Sequence, residues 1–305
     1  MNKNPVTLSN FAMQSETISM LTERRAVRIL RADHLGMCFG VRDAIALALE
    51  ESRRRPLTIL GELVHNDSVL NDLRAQGIAM EDRAESVQTQ AVMITAHGAS
   101  EKAMERARAR GLHVLQATCP LVHLAHRALQ ELVREGFHPV IVGQRGHVEV
   151  RGLTEDLAVF DLVQTEEDVG GLAEHPRIGV VAQTTQTAAK VRCIVEAIRK
   201  RFARAEVRYS DTICQPTKQR QQAAVKLAEQ SDVVVVVGGA KSNNTRELAA
   251  TCRLHCGHVR HIEGAQDLQI SWFKGATTVG LTAGTSTPDE LIDLVEEWLR
   301  TNLQI

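Results

Sequence analysis

The chain has 305 residues, of which 44% are hydrophobic, 24% are charged and only 3% are aromatic, and its formal net charge is −1 at pH 7. This length and apolar content are typical of a globular protein with a sizeable core, built as one large domain or as two or three small ones. The balanced charge and the shortage of aromatic rings argue against a nucleic-acid-binding surface. No apolar run approaches the roughly 20 residues that cross a bilayer, and the longest, residues 233–237, predicts a buried parallel strand.

The first 26 residues lack strong periodicity and contain acidic residues but no apolar signal-peptide core. We interpret residues 1–26 as a loosely ordered extension rather than a secretion signal, with a transit peptide as the alternative. The composition therefore predicts a cytoplasmic protein whose six cysteines are mostly reduced. In that setting ligand or catalytic roles for cysteine are favoured over disulfides.

From residue 27 onward, strand and helix patterns alternate, which predicts an α/β fold with mainly parallel strands. Three cysteines recur in one local setting, between a short strand and an amphipathic helix. The three are Cys38, Cys119 and Cys214. The helix after each cysteine leads into a strand that ends at a glycine 23 or 24 residues beyond the cysteine. These glycines are Gly61, Gly143 and Gly238.

The recurrence predicts three related α/β units arranged as a trefoil. We place them at residues 27–118, 119–211 and 212–305, with residues 27–38 able to pack with the third unit. Open parallel sheets bind ligands at the carboxyl ends of their strands. Three such units around one axis would aim three cysteines and a collar of polar side chains at a common centre.

The shared setting of these cysteines favours a metal centre. A thiol at a helix N-terminus is biased towards thiolate by the free N–H groups and the helix dipole. Three thiolates at one point need a cation between them, and a disulfide would leave one thiol over. Both zinc and an iron–sulfur cluster remain open at this stage, and a 4Fe–4S cluster with three cysteine ligands would keep one iron open.

The other cysteines do not share this setting. Cys193 lies within a helix pattern and is interpreted as part of the core. Cys252 and Cys256 lie near two histidines, but no second ligand pair suggests a zinc site there.

Polar side chains follow the strands of all three units and predict an anion site for phosphate or diphosphate. They are His65, His97, His147, Thr184, Thr185, Ser242, Asn243, Asn244 and Ser286. Glu149 stands two residues beyond His147, so both side chains would face one side if this segment is extended. A carboxyl group near an anionic substrate should have a raised pKa and could deliver a proton.

A series of motifs in fixed order carries a family resemblance between about residues 27 and 300. They are GMCFGVRDAI, GELVHN, AHGAS, ATCPLV, GHVEVRG, AQTT, DTIC, GGAKSNNTREL and GLTAGTSTPDEL. With them the chain resembles the 4-hydroxy-3-methylbut-2-enyl diphosphate reductase family, also called IspH or LytB, of the methylerythritol phosphate route to isoprenoids. The resemblance implies a trefoil of three α/β domains around a central 4Fe–4S cluster held by Cys38, Cys119 and Cys214.

The resemblance also implies roles for the polar residues. Glu149 corresponds to the proton donor of the family, assisted by His147 and Thr184. The diphosphate and substrate contacts of the family correspond to the polar collar. Its members here are His65, His97, His147, Thr184, Thr185, Ser242, Asn243, Asn244 and Ser286.

The implied activity is reductive removal of the hydroxyl group of (E)-4-hydroxy-3-methylbut-2-enyl diphosphate, giving isopentenyl and dimethylallyl diphosphates. Ferredoxin or flavodoxin would supply the electrons, and neither nucleic acid nor a membrane is expected as a partner. Three residues depart from frequent family choices, namely Gln116, Val148 and Asn243. They leave open a divergent paralogue that acts on another allylic diphosphate. A non-catalytic iron–sulfur sensor and a zinc-dependent phosphohydrolase are further alternatives, although a sensor needs no Glu149.

Overall fold

A computed structural model describes residues 26–303, so all but the last residue of the predicted N-terminal extension lies outside the described chain. The described residues form twelve strands in three parallel four-stranded sheets. The predicted α/β fold of three related units is therefore confirmed. None of the helices in this part of the chain is long and apolar enough to cross a bilayer. The first strand is β1 (Arg28–Arg31).

The first sheet follows β1 in sequence. Its helices are α1 (Phe39–Ser52), α2 (Asp67–Ala75) and α3 (Glu101–Ala109). Its strands are β2 (Leu57–Leu60), β3 (Ala79–Glu81), β4 (Ala91–Ile94) and β5 (His113–Gln116). The strand order is β3-β2-β4-β5, and the four residues of the central strand β4 are all buried, as expected for a strand covered on both faces.

The second sheet repeats this plan. Its helices are α4 (Pro120–Arg134), α5 (Val148–Thr154) and α6 (Ala188–Arg201). Its strands are β6 (His138–Val142), β7 (Asp161–Val163), β8 (Arg177–Ala182) and β9 (Glu206–Tyr209). The strand order is β7-β6-β8-β9, which matches the first sheet position by position.

The third sheet uses the remaining elements. Its helices are α7 (Gln215–Glu229), α8 (Asn243–Arg253) and α9 (Asp289–Leu303). Its later strands are β10 (Val233–Val237), β11 (Val259–Ile262) and β12 (Thr278–Ala283). All five valines of β10 are buried, so the strand predicted from the apolar run is confirmed.

Strand β1, at the start of the described chain, completes the third sheet. It pairs in parallel with β12, with Arg28 opposite Thr278, and the strand order is β1-β12-β10-β11. The edge strand of each sheet therefore leads into the cysteine of the next unit, since β5 precedes Cys119, β9 precedes Cys214 and β1 precedes Cys38. The unit boundaries at residues 118 and 211 stay a prediction.

Candidate active site at the junction of the three sheets

Three equivalent main-chain hydrogen bonds hold the recurrent cysteines at the carboxyl ends of the sheets. The amide of each cysteine donates to a carbonyl two residues beyond the end of β12, β4 or β8. The pairs are Cys38 to Thr285 at 3.1 Å, Cys119 to Ala96 at 3.0 Å and Cys214 to Thr184 at 3.0 Å. Each cysteine is also the residue immediately before its helix, α1, α4 or α7. The recurrence seen in the sequence is thus also a recurrence of main-chain hydrogen bonds and helix starts.

The thiols of different units approach one another. A β-carbon at Gly40, in the first turn of α1, would stand 2.6 Å from the Cys119 Sγ, so only glycine leaves room for that sulfur. The charge at Cys38 acts on the pKa of both Cys119 and Cys214, which places all three thiols within electrostatic reach. The structure therefore gathers the three cysteines from three units into one region.

Burial changes the expected ionisation of these thiols. It raises the pKa of Cys119 and Cys214, and the hydrogen bonds from the helix N-termini only oppose this rise. The helix N-termini do favour the thiolates of Cys119 and Cys214, as expected, but the cost of burying a charge is larger, so a counter-charge is needed to ionise them. The three partly buried sulfurs are a donor set that fits an iron–sulfur cluster. Within residues 26–303 they do not form a group whose ligand atoms lie close enough together to share a single metal ion, so one zinc ion fits them less well.

Three histidines from two units form a compact group beside the thiols. The ring centroids of His65 and His97 lie 4.9 Å apart, those of His65 and His147 lie 5.2 Å apart, and those of His97 and His147 lie 5.5 Å apart. The cavity among them measures about 40 Å³. Its other lining residues come from all three units and are Val41, Val64, Thr185, Ser242, Asn243, Asn244, Thr285 and Ser286.

Several polar atoms around this cavity are buried without a hydrogen-bond partner in the described chain. They are His97 Nδ1, Asn244 Nδ2 and Ser286 Oγ. Two other members of the polar collar form hydrogen bonds. The Ser242 Oγ accepts from the main-chain amide of Thr245 at 3.3 Å, and the side-chain Nδ2 of Asn243 donates to the Thr185 Oγ1 at 3.4 Å. Buried polar groups in folded proteins are nearly always satisfied, so orphaned groups around one cavity point to a polar ligand.

Burial keeps two of these histidines, His97 and His147, in their neutral form. Burial places the pKa of His97 well below its usual value, and it lowers the pKa of His147 to about 3, with a smaller contribution from the charge on His65 in each case. An anion bound among these rings would oppose the effect of burial and that of the charge on His65, because it would favour protonated imidazole. Neutral imidazole can donate to a phosphate and can also ligate a metal ion, so the preference for an anion rests on the unpartnered donors Asn244 Nδ2 and Ser286 Oγ.

Glu149 is the most buried acid of the site, with 1% of its surface exposed. Its Oε1 accepts from the Thr184 amide at 2.7 Å, and its Oε2 accepts from the Thr184 hydroxyl at 3.1 Å. Burial raises its pKa to about 7, although both bonds from Thr184 oppose the shift. A carboxyl group with this pKa carries an exchangeable proton near neutrality.

The segment around Glu149 differs from the extended conformation that the two-residue spacing suggested. It is helical, because α5 begins at Val148 and the His147 Nδ1 accepts from the Glu149 amide at 3.1 Å as a helix cap. His147 therefore turns towards the other histidines while Glu149 turns towards Thr184. The spacing alone did not show this, since a side-chain cap decided the local conformation.

The sequence patterns did not identify two buried residues that lie beside the thiols. The Thr217 hydroxyl lies 3.1 Å from the Cys214 Sγ, and Arg220 donates to the Gly36 carbonyl from Nε at 3.0 Å and from Nη2 at 2.7 Å. Extending the repeat beyond the cysteines would have singled out both, because the equivalent positions in the other two units are apolar.

The remaining cysteines lie elsewhere. Cys193 is exposed on α6, so its interpretation as a core residue is wrong. Cys252 and Cys256 are buried, and both belong with Val234 and Val236 to the apolar core of the third unit. Within residues 26–303, neither belongs to a group of three residues whose ligand atoms could share a metal ion.

A larger groove of about 680 Å³ lies between the first and second units, away from the thiols. Part of its polar lining is paired internally, since Glu155 accepts from the Ser100 hydroxyl at 2.5 Å and forms an ion pair with Arg106 at 2.6 Å. Size alone therefore does not identify the site. The smaller cavity, with its orphaned donors, is the better candidate.

Comparisons with known proteins agree with this arrangement. The sequence model of the LytB protein family matches residues 29–300. The 4-hydroxy-3-methylbut-2-enyl diphosphate reductase of Aquifex aeolicus is 39% identical over 277 residues, which cover 88% of this chain and 95% of that protein. The enzyme of the same name from Caldanaerobacter subterraneus is 34% identical over 284 residues, covering 90% and 97%.

Two solved structures are also similar. The E-1-hydroxy-2-methyl-but-2-enyl-4-diphosphate reductase from Plasmodium falciparum superimposes with a TM-score of 0.84 at 27% identity, covering 90% of this chain and 88% of the other. A structure of (E)-4-hydroxy-3-methyl-but-2-enyl diphosphate reductase, described as the terminal enzyme of the non-mevalonate pathway, gives a TM-score of 0.64 at 36% identity, covering 90% and 99%.

Proposed function

Because this chain belongs to the LytB protein family, we propose that it is a 4-hydroxy-3-methylbut-2-enyl diphosphate reductase. The reaction breaks the allylic C–O bond of the substrate, consumes two electrons and two protons, and releases water with isopentenyl or dimethylallyl diphosphate. The observation that carries the proposal is Glu149, a buried acid with a pKa of about 7 at the junction where three thiols and several orphaned donors meet.

The proposed cofactor is a 4Fe–4S cluster held by Cys38, Cys119 and Cys214. It would supply the electrons and an open iron that acts as a Lewis acid. The fit rests on the donor chemistry: the sulfurs come from three units, and Gly40 leaves the space beside Cys119 free. Reduced ferredoxin or flavodoxin is proposed as the electron donor, and the cytoplasmic location stays a prediction.

The proposed diphosphate site is the cavity of the three histidines and the orphaned donors. Imidazole N–H groups, the Ser286 hydroxyl and the side-chain amide of Asn244 would donate to phosphate oxygens, and the bound anion would raise the lowered pKa of His97 and His147. Small-molecule pockets usually measure roughly 300–1,000 Å³. A cavity of about 40 Å³ is far smaller, so we infer that the units move apart to admit the substrate.

The proposed proton donor is Glu149. Its carboxyl group would deliver a proton to the leaving hydroxyl group, so that water rather than hydroxide departs. Thr184 fixes the orientation of this carboxyl group through two hydrogen bonds. His147 caps the helix that carries Glu149 and would hold the diphosphate end of the same substrate. Binding and protonation are thereby coupled through one short helix.

The decisive experiment is an anaerobic assay of the purified full-length protein with (E)-4-hydroxy-3-methylbut-2-enyl diphosphate and a strong one-electron reductant. We expect a brown protein that contains iron and sulfide and converts the substrate to the two isomeric products, measured by mass spectrometry. A colourless zinc protein would contradict the cofactor and favour a phosphohydrolase. A brown protein without turnover of this substrate would contradict the proposed reaction and favour a paralogue or a sensor.

A further inference from the structure

The repeat of three cysteines is broken at two positions near the thiols. Three residues after each cysteine stand Val41, Val122 and Thr217. Six residues after each cysteine stand Ala44, Ala125 and Arg220. The third unit therefore replaces two small or apolar residues by a hydroxyl group and a guanidinium group. Since the main-chain frame of the three cysteines is the same, the difference between the units is chemical.

Thr217 supplies a hydrogen bond that the other two units lack. It is fully buried, and its hydroxyl lies 3.1 Å from the Cys214 Sγ. A hydroxyl group can donate to an ionised sulfur, whereas the valine side chains at the equivalent positions cannot. Threonine and valine have nearly the same shape, so the break in symmetry changes polarity with little change in volume.

Arg220 places a cation between two of the cysteine-bearing turns. It is 8% exposed, and besides its two bonds to the Gly36 carbonyl it donates to the Pro216 carbonyl at 3.1 Å. Gly36 precedes Cys38 by two residues and has a positive φ of 72°, and Pro216 follows Cys214 by two residues. The guanidinium group therefore ties the turn of Cys38 to the start of α7.

The sulfurs of a loaded centre would supply a counter-charge for Arg220. Its recorded hydrogen bonds go to neutral main-chain carbonyls. Burial lowers its pKa, and negative charge on Cys38 and Cys214 opposes this change. A buried charge without a counter-charge is strongly unfavourable, so the thiolates of a loaded centre would stabilise the guanidinium group and be stabilised by it.

We propose that Thr217 and Arg220 are positioning residues that raise the reduction potential of the centre by making the Cys214 side electropositive. Hydrogen bonds to sulfur and nearby charge are among the factors that set the potentials of iron–sulfur clusters. A positive charge and a donor stabilise the more negative, reduced state. This inference rests on the proposed function in that a cluster is bound by the three cysteines.

The test is a redox titration of the anaerobically purified holoenzyme, followed by visible absorption and electron paramagnetic resonance. In Arg220→Gln, the ratio of reduced to oxidised cluster at a fixed ambient potential should fall at least tenfold, which is about 59 mV for a one-electron couple. In Thr217→Val, which recreates the residue of the other units, the ratio should fall about threefold, as expected for loss of one hydrogen bond.

Conservative variants separate electrostatics from packing. Arg220→Lys keeps the charge and Thr217→Ser keeps the hydroxyl group, so both should retain most of the wild-type potential. Thr58→Val is the matched control, because Thr58 is a buried threonine in β2 whose hydroxyl bonds to Thr89 at 2.7 Å in the first unit. Its potential should equal that of the wild type even if its thermal midpoint falls.

The inference would be overturned if Thr217→Val, Thr217→Ser and the wild type had equal potentials and Arg220→Gln also kept the wild-type potential. The proposed function would then stay intact. If Arg220→Gln does not retain its cluster, Arg220→Lys and the Thr217 pair still decide the question. A wild-type protein that binds no iron under reconstitution would overturn the proposed function and this inference together.

Discussion

Two groups of three metal-ligating residues lie at opposite ends of the sheets, and their surroundings differ. The central group, His65, His97 and His147, comes from two units and leaves His97 Nδ1 without a partner among the described residues. The peripheral group is His138, Asp161 and His175, and all three lie at the amino ends of strands in one sheet.

The members of the peripheral group contact one another. His138 Nε2 lies 2.8 Å from the Asp161 carboxylate, and the rings of His138 and His175 stack at 3.6 Å with planes inclined by 5°. The central group meets one carboxylate, Glu62, at 3.1 Å from His65 on its outer side. Residue type therefore does not identify a functional cluster. The difference lies in which polar groups remain unpartnered inside the protein.

The largest expected effect concerns the thiols beside the central group. Replacing Cys38, Cys119 or Cys214 with serine should abolish the iron chromophore and all turnover, because a hydroxyl group is a poor substitute for thiolate. Cys193→Ser is the control, since that thiol is exposed on α6, and it should keep both. Iron content and visible absorption after anaerobic purification measure the result. A full chromophore in any of the first three variants would remove that cysteine from the ligand set.

Glu149→Gln should reduce kcat by about 10²–10⁴-fold, the usual contribution of a general acid. Glutamine keeps the size of the side chain and can still accept from Thr184, so the cluster spectrum and the affinity for the substrate should be retained. Steady-state kinetics with a strong reductant, together with substrate titration, separate these effects. Wild-type turnover in this variant would assign proton delivery to another group.

The pKa of Glu149 predicts a pH dependence. The raised value of about 7 means that the carboxyl group carries its proton below that pH and loses it above. The acid form should fall with rising pH, so kcat/KM should decrease about tenfold between pH 6 and pH 8. The residual activity of Glu149→Gln should not decrease in this way with rising pH. A wild-type profile that rises across this range would contradict the assignment of Glu149 as an acid.

The central and peripheral histidines can be compared directly. His97→Asn should weaken the binding of inorganic diphosphate by about tenfold, which corresponds to the loss of roughly one hydrogen bond to a charged ligand. His138→Asn should leave that affinity unchanged, because His138 lies at the amino end of β6. Calorimetric titration of both variants measures the effect. Equal losses in both would erase the functional distinction between the groups.

Much of this site could be predicted from the sequence, because strand ends and helix starts are local patterns. The positions of Cys38, Cys119 and Cys214 before their helices follow from such patterns. Cys193 also carried a readable signal. Its neighbours Val191, Ile194, Val195 and Ile198 define the buried face of α6 at helical spacing, which leaves residue 193 outside.

Other features depend on tertiary surroundings. The ionisation of Cys119 is decided by burial, which no local pattern reports. The helical conformation at Val148 depends on the cap formed by the His147 ring, and the large pKa shift of Glu149 depends on complete desolvation. Arg220 was missed for a different reason, because its importance appears only when the three units are compared position by position.

The pairing of β1 with β12 has a consequence for how the protein matures. Cys38, the first of the three recurrent cysteines in the sequence, is fixed by the carbonyl of Thr285, far along the chain. Its sulfur reaches its final position only after residues 278–285 have left the ribosome, because the partner strand of β1 spans Thr278–Ala283. Any inorganic centre that requires all three sulfurs is therefore acquired only after β1 and β12 have paired, when the strands of all three sheets have been synthesised.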